Sequence, residues 1–343
     1  MNIQYHLKEL KERIDKFNNP SRYSNREGLY RYQYEIQRRA FLPSQAIEKL
    51  SQPIAREDMS GLIYDFREPV YYGAFSVLKE YAGLETFVLP PHKLGLQHGY
   101  VFEMHTWEQS KLELRNLVWS DKLVKMYQEH TDNKDIYAIG APFFYAKSLL
   151  SKMQIDTEKK RLGKNLLAFP MHSSVCCDTD FDPNKFISIL EEERKHYDTV
   201  RVCLYWKDIL RGSHKVYLEH GFECVCNGHI NDMNFLRRQK ALFEIADATI
   251  SNGIGSHVGY SVFMEKPHKL IKDSYHYKGG DGVQLTDMMT KDNFKRVEKA
   301  FLESNDYVIT QGQRDVVEEF WGLSCFKTQE ELRSLLLKLY NKG

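Results

Sequence analysis

The second half of the chain alternates short apolar segments with helical ones, and this alternation constrains the fold more than any other feature. Segments typical of buried strands occupy residues 165–170, 199–205, 222–226, 248–251 and 268–271. Between them, apolar residues recur at helical spacing, as in the pair Phe235 and Leu242. Strands that alternate with helices of this length form parallel sheets with helices on both faces. The second half is therefore predicted to be a doubly wound α/β unit.

Capping residues indicate where several of these helices begin and end. Asp182 followed by Pro183 is typical of a helix start, because aspartate caps the first N–H groups and proline fits the first turn. Gly221 is predicted to end a helix, and Asn231 or Asp232 to begin the next one. These signals place each helix between two strands, as a doubly wound sheet requires.

The first half shows a weaker version of the same pattern. Strands are predicted at residues 61–66, 85–89, 95–97, 114–119 and 136–139, with helices over 73–81 and 121–130. Residues 146–164 are rich in lysine, serine and glutamate, so the linker between the halves is predicted there. The predicted units are 51–150 and 165–320, two Rossmann-like domains with ligands at the carboxyl ends of their strands.

Composition excludes several classes of protein. The 343 residues include 48 Lys and Arg against 47 Asp and Glu, so no global charge recruits nucleic acid. The 6 cysteines lack C-x-x-C spacing, which favours reduced thiols in a cytoplasmic protein. No apolar core of a signal peptide and no run of about 18 apolar residues occurs, so we expect no membrane-spanning segment.

A glycine loop lies between the predicted strand 248–251 and the helix that follows it. Its sequence is Ser251-Asn252-Gly253-Ile254-Gly255-Ser256-His257. Two glycines allow close approach of a ligand to the backbone, and the start of a helix presents unpaired N–H groups to an anion. The loop is a candidate phosphate site. An ordinary βα turn with the same residue types is the alternative.

Polar residues also follow the neighbouring strands. They are His172, Ser173 and Ser174 after the first strand, Lys207 after the second, and Asn227 and Gly228 after the third. In a parallel sheet these ends meet at one edge. The hydroxyls and the imidazole are candidate phosphate or sugar contacts, the lysine a cation for a diphosphate, and Asn227 a reader of a nucleobase edge. Each of them could equally be a polar loop residue. The chain has no P-loop and no strand-linked G-x-G-x-x-G motif.

Three residues of the first half are candidate general bases. His98 precedes Gly99 at the end of a short strand, where a histidine can accept a proton near neutral pH. Glu103 lies just beyond, and Asp65 ends another predicted strand. The structural alternatives are a turn histidine and an aspartate that caps the next segment.

Several short motifs together carry a resemblance to a known family. They are Leu96-Gln97-His98-Gly99, Leu117-Val118-Trp119-Ser120-Asp121, Ile139-Gly140-Ala141-Pro142, Ile245-Ala246-Asp247-Ala248 and Lys266-Pro267-His268, together with the glycine loop. Over residues 60–340 the chain resembles GT-B glycosyltransferases that assemble bacterial capsule, O-antigen and other surface polysaccharides. The resemblance implies two Rossmann-like domains facing each other across a cleft, with the acceptor and base in the first and the nucleotide-sugar in the second.

The resemblance also bears on mechanism. Many retaining GT-B enzymes carry two glutamates eight positions apart in the donor domain, and the matching positions here are Asn252 and Tyr260. Because both glutamates are missing, an inverting displacement is expected. No bound metal and no cofactor are expected, since helix N–H groups and side chains neutralise the leaving diphosphate in such enzymes.

The two ends of the chain lie outside these units. Residues 1–50 are basic and aromatic and are predicted to be helical, packing their tyrosines on the first domain; alternatively they contact a membrane surface near a lipid-linked glycan acceptor. Residues 321–343 are predicted to form a C-terminal helix.

Three other functions remain open at this point. A polyol-phosphate transferase of the CDP-glycerol type also combines a His-Gly motif with a GT-B fold. A nucleotide-sugar 2-epimerase shares the fold and needs no acceptor. A glycan-binding accessory protein would catalyse no reaction.

Overall fold

The computed structural model describes residues 26–54, 71–84, 95–97, 99–104, 115–175, 177–280, 282–303 and 307–341. Two of the candidate bases, Asp65 and His98, lie outside the described residues, as do the strands predicted over 61–66 and 85–89.

Strands and helices alternate along most of the described chain. The strands are β1 (Gly95–Leu96), β2 (Arg115–Val118), β3 (Tyr137–Ala138), β4 (Asn165–Phe169), β5 (Asp178–Phe181), β6 (Thr199–Leu204), β7 (Glu223–Cys226), β8 (Ala248–Ser251), β9 (His268–Leu270) and β10 (Tyr275–Lys278). The helices are α1 (Arg26–Ala40), α2 (Ile47–Leu50), α3 (Ala74–Tyr81), α4 (Asp121–Gln128), α5 (Lys152–Leu162), α6 (Pro183–Glu193), α7 (Trp206–Leu210), α8 (His214–Glu219), α9 (Phe235–Ile245), α10 (Ser256–Phe263), α11 (Gly282–Thr290), α12 (Asp292–Leu302), α13 (Gln311–Trp321) and α14 (Gln329–Asn341). Short 3₁₀ helices cover Tyr71–Gly73 and Pro142–Tyr145.

The second half contains a five-stranded parallel sheet in the order β7-β6-β4-β8-β9. All five residues of β4 are buried, because apolar clusters cover both faces of the sheet. Strand β4 is central: β6 and then β7 lie on one side of it, and β8 and then β9 lie on the other side. The predicted parallel α/β architecture is confirmed, and the strand order reverses between β4 and β8.

The first half contains a smaller parallel sheet in the order β1-β2-β3. One continuous apolar cluster includes residues of both sheets, among them Leu117 of β2 and Leu167 of β4. Trp321, at the end of α13, belongs to the same cluster and is fully buried. Near it, Phe143 stacks on Tyr260 of α10 with ring centroids 4.2 Å apart. The two halves therefore share a core around α10 and α13.

The segment predicted as the linker, residues 146–164, contains a regular helix, α5. Ser151 and Gln154 form a capping box at its start, and Ile155 and Leu162 are buried. A mostly polar helix that buries so few residues has little apolar periodicity, which explains why the sequence did not indicate it. The start of α9 also differs from the prediction, because its N-cap is Asn234 rather than Asn231 or Asp232.

The N-terminal helices contact the second half, but Tyr32 also shares an apolar cluster with Ile54 of the predicted unit 51–150. The expected packing of tyrosines on the first domain is wrong for Tyr34. The Tyr32 hydroxyl donates to the Asn231 carbonyl at 3.1 Å, and Tyr34 is exposed. The N–H of Cys226, on edge strand β7, donates to the Ser44 carbonyl at 2.9 Å. This segment therefore covers the free edge of the five-stranded sheet.

Other elements were not predicted or begin elsewhere. Strands β5 and β10 pair antiparallel as a two-stranded ribbon, and α14 begins at Gln329 rather than at Trp321. At Gly322, where α13 ends, φ is +69°. Among the described residues, no helix has the length and apolar character needed to cross a membrane.

Candidate functional site

The candidate site lies where the strand order reverses, at the carboxyl ends of β4 and β8. Asn252, directly after β8, joins the two ends: its Oδ1 accepts from the N–H of Met171 at 2.6 Å. Its Nδ2 donates to the Asp273 carboxylate at 3.0 Å. Only 1% of Asn252 is exposed. Its amide therefore fixes the geometry of the crevice, and open α/β sheets bind ligands in such crevices.

Helix α10 begins in this crevice with unpaired N–H groups. Gly255 is its N-cap, and no side chain caps the helix. Within the part of the chain that the structure describes, the N–H groups of Gly255, Ser256 and His257 have no acceptor within hydrogen-bond distance. Together with the positive end of the helix dipole, they form a surface suited to an anion.

The space beside both glycines of the loop is filled by this chain's own side chains. A Cβ at Gly255 would lie 2.7 Å from Nδ1 and Cε1 of the His257 imidazole. A Cβ at Gly253 would lie 2.5 Å from the Met171 sulfur and 3.2 Å from the Tyr275 ring. Ligand contact at these two glycines stays a prediction. Glycine at position 255 lets the imidazole fold back over the start of α10.

His257 is a buried neutral imidazole in this arrangement. Its ring stacks on Phe169 at 4.6 Å, and 8% of the residue is exposed. Burial lowers the pKa of His257 well below its usual range, and the nearby charges of His268 and His172 lower it further. Its buried Nε2 has no hydrogen-bond partner. The ring can therefore rotate without breaking a hydrogen bond at that nitrogen.

A second buried histidine, His268 of β9, supports the strand that leads into the loop. Its Nδ1 lies 2.8 Å from the Thr249 hydroxyl and its Nε2 lies 3.0 Å from the Ser251 hydroxyl. The Ser251 hydroxyl in turn donates to the Gly253 carbonyl at 2.8 Å. These hydrogen bonds hold the start of the glycine loop in place against strand β9. The sequence offered no signal for it beyond a histidine in a predicted strand.

We expect the stability of the protein to fall as the pH drops below neutrality. Burial lowers the pKa of His268 from 6.5 to about 3, so the unfolded chain binds a proton there that the folded chain does not. Above pH 6.5 the histidine is neutral in both states and costs no stability. Below that pH the free energy of unfolding falls by about 1.4 kcal/mol per pH unit, until the pH reaches the pKa of the folded protein. Urea unfolding of the wild type and of His268→Gln at pH 7 and pH 5 measures it. Equal losses in both proteins would contradict the assignment to His268.

The loop after β4 is held by residues of α7. Asp208 accepts from the Ser173 N–H at 3.0 Å and from its hydroxyl at 2.6 Å. Lys207 Nζ donates to the Ser174 carbonyl at 2.9 Å and pairs with Asp178 at the same distance. The lysine predicted to face a diphosphate thus has its charge paired within the loop. The Ser174 hydroxyl is also engaged, since the Cys177 N–H donates to it at 3.0 Å.

His172 is an exposed residue of this loop. Its Nδ1 lies 2.7 Å from the Ser173 carbonyl oxygen, and its ring stacks on Tyr205 with centroids 4.7 Å apart. Tyr205 is the residue directly after β6. The imidazole is therefore fixed in orientation while one edge stays open to solvent.

The residues after β7 are turned toward the interior. The Asn227 carbonyl accepts from Arg238, and its Nδ2 donates to the Cys203 sulfur at 3.6 Å. Its buried Oδ1 has no partner. Gly228 has a φ of +106°, and a Cβ there would lie 2.8 Å from the Asp232 carboxylate. Asn227 is only 6% exposed, so it reaches a nucleobase edge only if this turn opens.

Two residues predicted to contact the donor, Tyr260 and Ser256, also make contacts in the shared core. Tyr260 is 5% exposed and stacked on Phe143, away from the N-cap of α10. The carbonyl of Ser256 accepts from the Trp321 indole N–H at 3.1 Å. Both residues hold α10 against the first half of the chain.

Of the three candidate bases, the structure describes only Glu103. Its Oε1 accepts from the Asn293 amide at 2.8 Å, and it lines a cavity of about 700 Å³. The other lining residues include Asp121, Lys122, Asp315, Glu318 and Glu319. The neighbouring Tyr100 reaches the glycine loop, because its hydroxyl donates to the Ile254 carbonyl at 3.0 Å. The stretch 99–103 therefore runs from the glycine loop to this acidic cavity.

Among the described residues, no cluster of three or more His, Cys, Asp or Glu side chains has the arrangement to hold a metal ion. Metal independence of the reaction stays a prediction.

Comparisons with known proteins give little beyond this geometry. No family model matches the chain, and no curated protein matches it in sequence. Among solved structures, the chain is similar to that of the wall teichoic acid polymerase TagF, with 11% sequence identity and a TM-score of 0.39. The match covers 68% of this chain and 60% of the TagF chain. A likeness of this size carries no argument about activity.

Proposed function

We propose that this chain is a GT-B glycosyltransferase that moves a sugar from a nucleotide-sugar donor to a growing cell-surface polysaccharide. The observation that carries the proposal is the start of α10, where three unpaired N–H groups lie at the reversal point of a parallel sheet. A nucleoside diphosphate supplies the anion that such a helix start favours. The other half then offers the acceptor side, with Glu103, His98 and Asp65 as candidate bases.

His257 is proposed to contact the donor diphosphate after a rotation of its ring. In the present conformation the imidazole covers the helix start, because a Cβ added at Gly255 would lie only 2.7 Å from the ring. An unpartnered buried polar atom costs about 1–3 kcal/mol, and a phosphate oxygen would accept the hydrogen bond that Nε2 lacks. Rotation toward the ligand therefore replaces an unsatisfied nitrogen with a satisfied one.

Calorimetry and thermal shift with UDP, GDP, CDP and dTDP test the proposal. One of these is expected to bind, and at 100 times its dissociation constant it should stabilise the protein by about 2.7 kcal/mol. The matching nucleosides, which lack the diphosphate, are the controls and should bind more weakly. If none of the four diphosphates binds, the donor site is contradicted. Release of CMP from a CDP-polyol, or epimerisation of a nucleotide-sugar without acceptor, would instead indicate one of the alternative functions.

The transfer is proposed to be inverting and independent of metal, because the glutamate pair of retaining relatives is replaced by Asn252 and Tyr260. Activity is expected to survive EDTA, and the product anomer should be opposite to that of the donor. Loss of activity in EDTA with recovery in Mg²⁺ or Mn²⁺ would contradict the first expectation. A product of unchanged anomeric configuration would contradict the second.

The N-terminal helices are proposed to contact the cytoplasmic face of a membrane that carries a lipid-linked acceptor. Phe41 is 89% exposed and Tyr34 is 69% exposed, and Arg38 of α1, which is exposed and pairs with Glu35, lies close to both in sequence. Aromatic and basic side chains together favour an anionic lipid surface. Cosedimentation with phosphatidylglycerol vesicles should be reduced in Phe41→Ser. Equal sedimentation of both proteins, or none for the wild type, would contradict the contact.

A further inference from the structure

We infer that His172 removes the proton from the attacking hydroxyl of the acceptor, so that the general base lies in the five-stranded half of the chain. This inference rests on the proposed function. It reassigns a residue first considered as a phosphate contact, and it places the base on the same crevice as the start of α10.

The tautomer of the neutral His172 ring follows from its hydrogen bond. Its Nδ1 lies 2.7 Å from the Ser173 carbonyl oxygen, which can only accept. Nδ1 therefore carries the proton, and in the neutral ring the lone pair is on Nε2. His172 is exposed, and no contact occupies its Nε2 among the described residues. The available nitrogen is thus a proton acceptor rather than a donor, which suits a hydroxyl better than a phosphate.

The loop that carries His172 is held rigid by several hydrogen bonds. The N–H and the hydroxyl of Ser173 each donate to the Asp208 carboxylate. The same hydroxyl oxygen accepts from the Thr179 N–H at 3.0 Å. The Thr179 hydroxyl donates to the His172 carbonyl at 2.6 Å. Arg211 and Lys207 both contact Asp178 at 2.9 Å. A base must be held within hydrogen-bond reach of its proton, and this bracing fixes the backbone on both sides of His172.

The ring itself is also fixed, and it lies near the proposed donor site. It stacks on Tyr205 at 4.7 Å, and the Tyr205 hydroxyl lies 3.5 Å from that of Tyr72 in the first half. The charge of His172 contributes to the lowered pKa of His257 at the start of α10. His172 follows β4 and the start of α10 follows β8, so both lie after the two strands between which the sheet order reverses.

The proposed step balances without a further reactant. Nε2 of His172 takes the proton of the acceptor hydroxyl as the oxygen attacks the anomeric carbon of the donor. The bond between that carbon and the diphosphate oxygen breaks, and the electron pair leaves with the nucleoside diphosphate at the α10 start. The imidazolium then returns its proton to solvent, because His172 is exposed.

The tautomer is tested by long-range ¹H–¹⁵N NMR of the full chain, without any ligand. The expected spectrum shows His172 protonated at Nδ1, with the resonance assigned by its loss in His172→Ala. His220 serves as a positive control for protonation at Nδ1, because it is also exposed and its Nδ1 contacts the Glu191 carboxylate at 2.7 Å. A neutral His172 protonated at Nε2 would overturn the inference.

The catalytic role is tested with UDP-glucose, GDP-mannose, CDP-glucose and dTDP-glucose, each with free glucose or galactose as acceptor. In His172→Ala the release of nucleoside diphosphate is expected to fall by a factor of about 10² to 10⁴ in kcat. The KM for the donor and the affinity for the free diphosphate should change less than about threefold. Added imidazole is expected to restore part of the rate, because the vacated site is open to solvent.

Two failures are distinguishable. If the wild type binds nucleotide and transfers sugar, but His172→Ala keeps its kcat or is not rescued by imidazole, the base assignment alone is overturned. A large loss of diphosphate affinity in His172→Ala would also overturn it, in favour of a phosphate contact. If the wild type binds no nucleotide at all, the proposed function fails and the inference fails with it.

Discussion

Gly255→Val is expected to reduce the affinity for nucleoside diphosphates by at least about 100-fold, which corresponds to about 2.7 kcal/mol. A Cβ at position 255 would lie 2.7 Å from the His257 imidazole, so the valine must displace that ring. The displaced ring and the valine methyls then occupy the space in front of the unpaired N–H groups at the start of α10. Calorimetry with the diphosphate that binds the wild type measures the loss.

A valine elsewhere in the same protein provides the matched control. Gly312 is an exposed residue in α13, and a Cβ there would meet only the Thr310 hydroxyl, at 3.9 Å. Gly312→Val should therefore bind nucleotide like the wild type. Gly255→Val itself loses some stability, about 1–3 kcal/mol, because the site is overpacked. Unchanged affinity in a folded Gly255→Val protein would show that the start of α10 is not the phosphate site.

The parts of the fold that were predicted correctly rest on local signals. The strands β4, β6, β7 and β8 contain runs of apolar residues, and Asp182 caps α6 as its position before Pro183 predicts. The helix before Gly221 also ends as expected. Each of these depends on residues adjacent in sequence, which is why the alternation of elements was sufficient to predict a parallel sheet.

Helix α5 was missed because of its own local composition, whereas the other parts that were not predicted depend on distant partners. Helix α5 is polar along most of its length and is held by a capping box and two buried residues. The ribbon of β5 and β10 joins segments about 100 residues apart and has no continuous apolar pattern. The N-terminal helices pack on β7 through the contact of Ser44 with Cys226. Periodicity cannot identify a partner that far away in sequence.

The candidate site shows the same division. Because strand ends meet at one edge of a parallel sheet, His172, Asn252 and His257 could be placed together from sequence. Whether a polar side chain is free could not be predicted. Lys207 and Asn252 are engaged by this chain's own groups. The residues that engage them carry no motif: Asp178 begins strand β5, and Asp273 lies in the loop before β10.

Trp321→Ala is expected to lower the free energy of unfolding by about 3–5 kcal/mol, the range for a fully buried large aromatic residue. The indole packs against Phe102 of the first half and, through Gly259, against α10 of the second. Its N–H also donates to the Ser256 carbonyl at 3.1 Å. Trp321→Phe keeps a ring and should lose less. Urea unfolding of the three proteins measures these differences.

The contact between Trp321 and Gly259 can be separated from the general cost of a cavity by a double-mutant cycle. A Cβ at Gly259 would overlap the indole ring of Trp321, so Gly259→Ala alone should destabilise by about 1–3 kcal/mol. In the Trp321→Ala background the same change meets no ring, and the alanine should be nearly neutral or stabilising, since it also improves helix propensity. The resulting coupling is expected to lie within about 0.5–3 kcal/mol. Additive losses would show that α10 does not pack against α13 at this glycine, and that the halves of the chain are joined elsewhere.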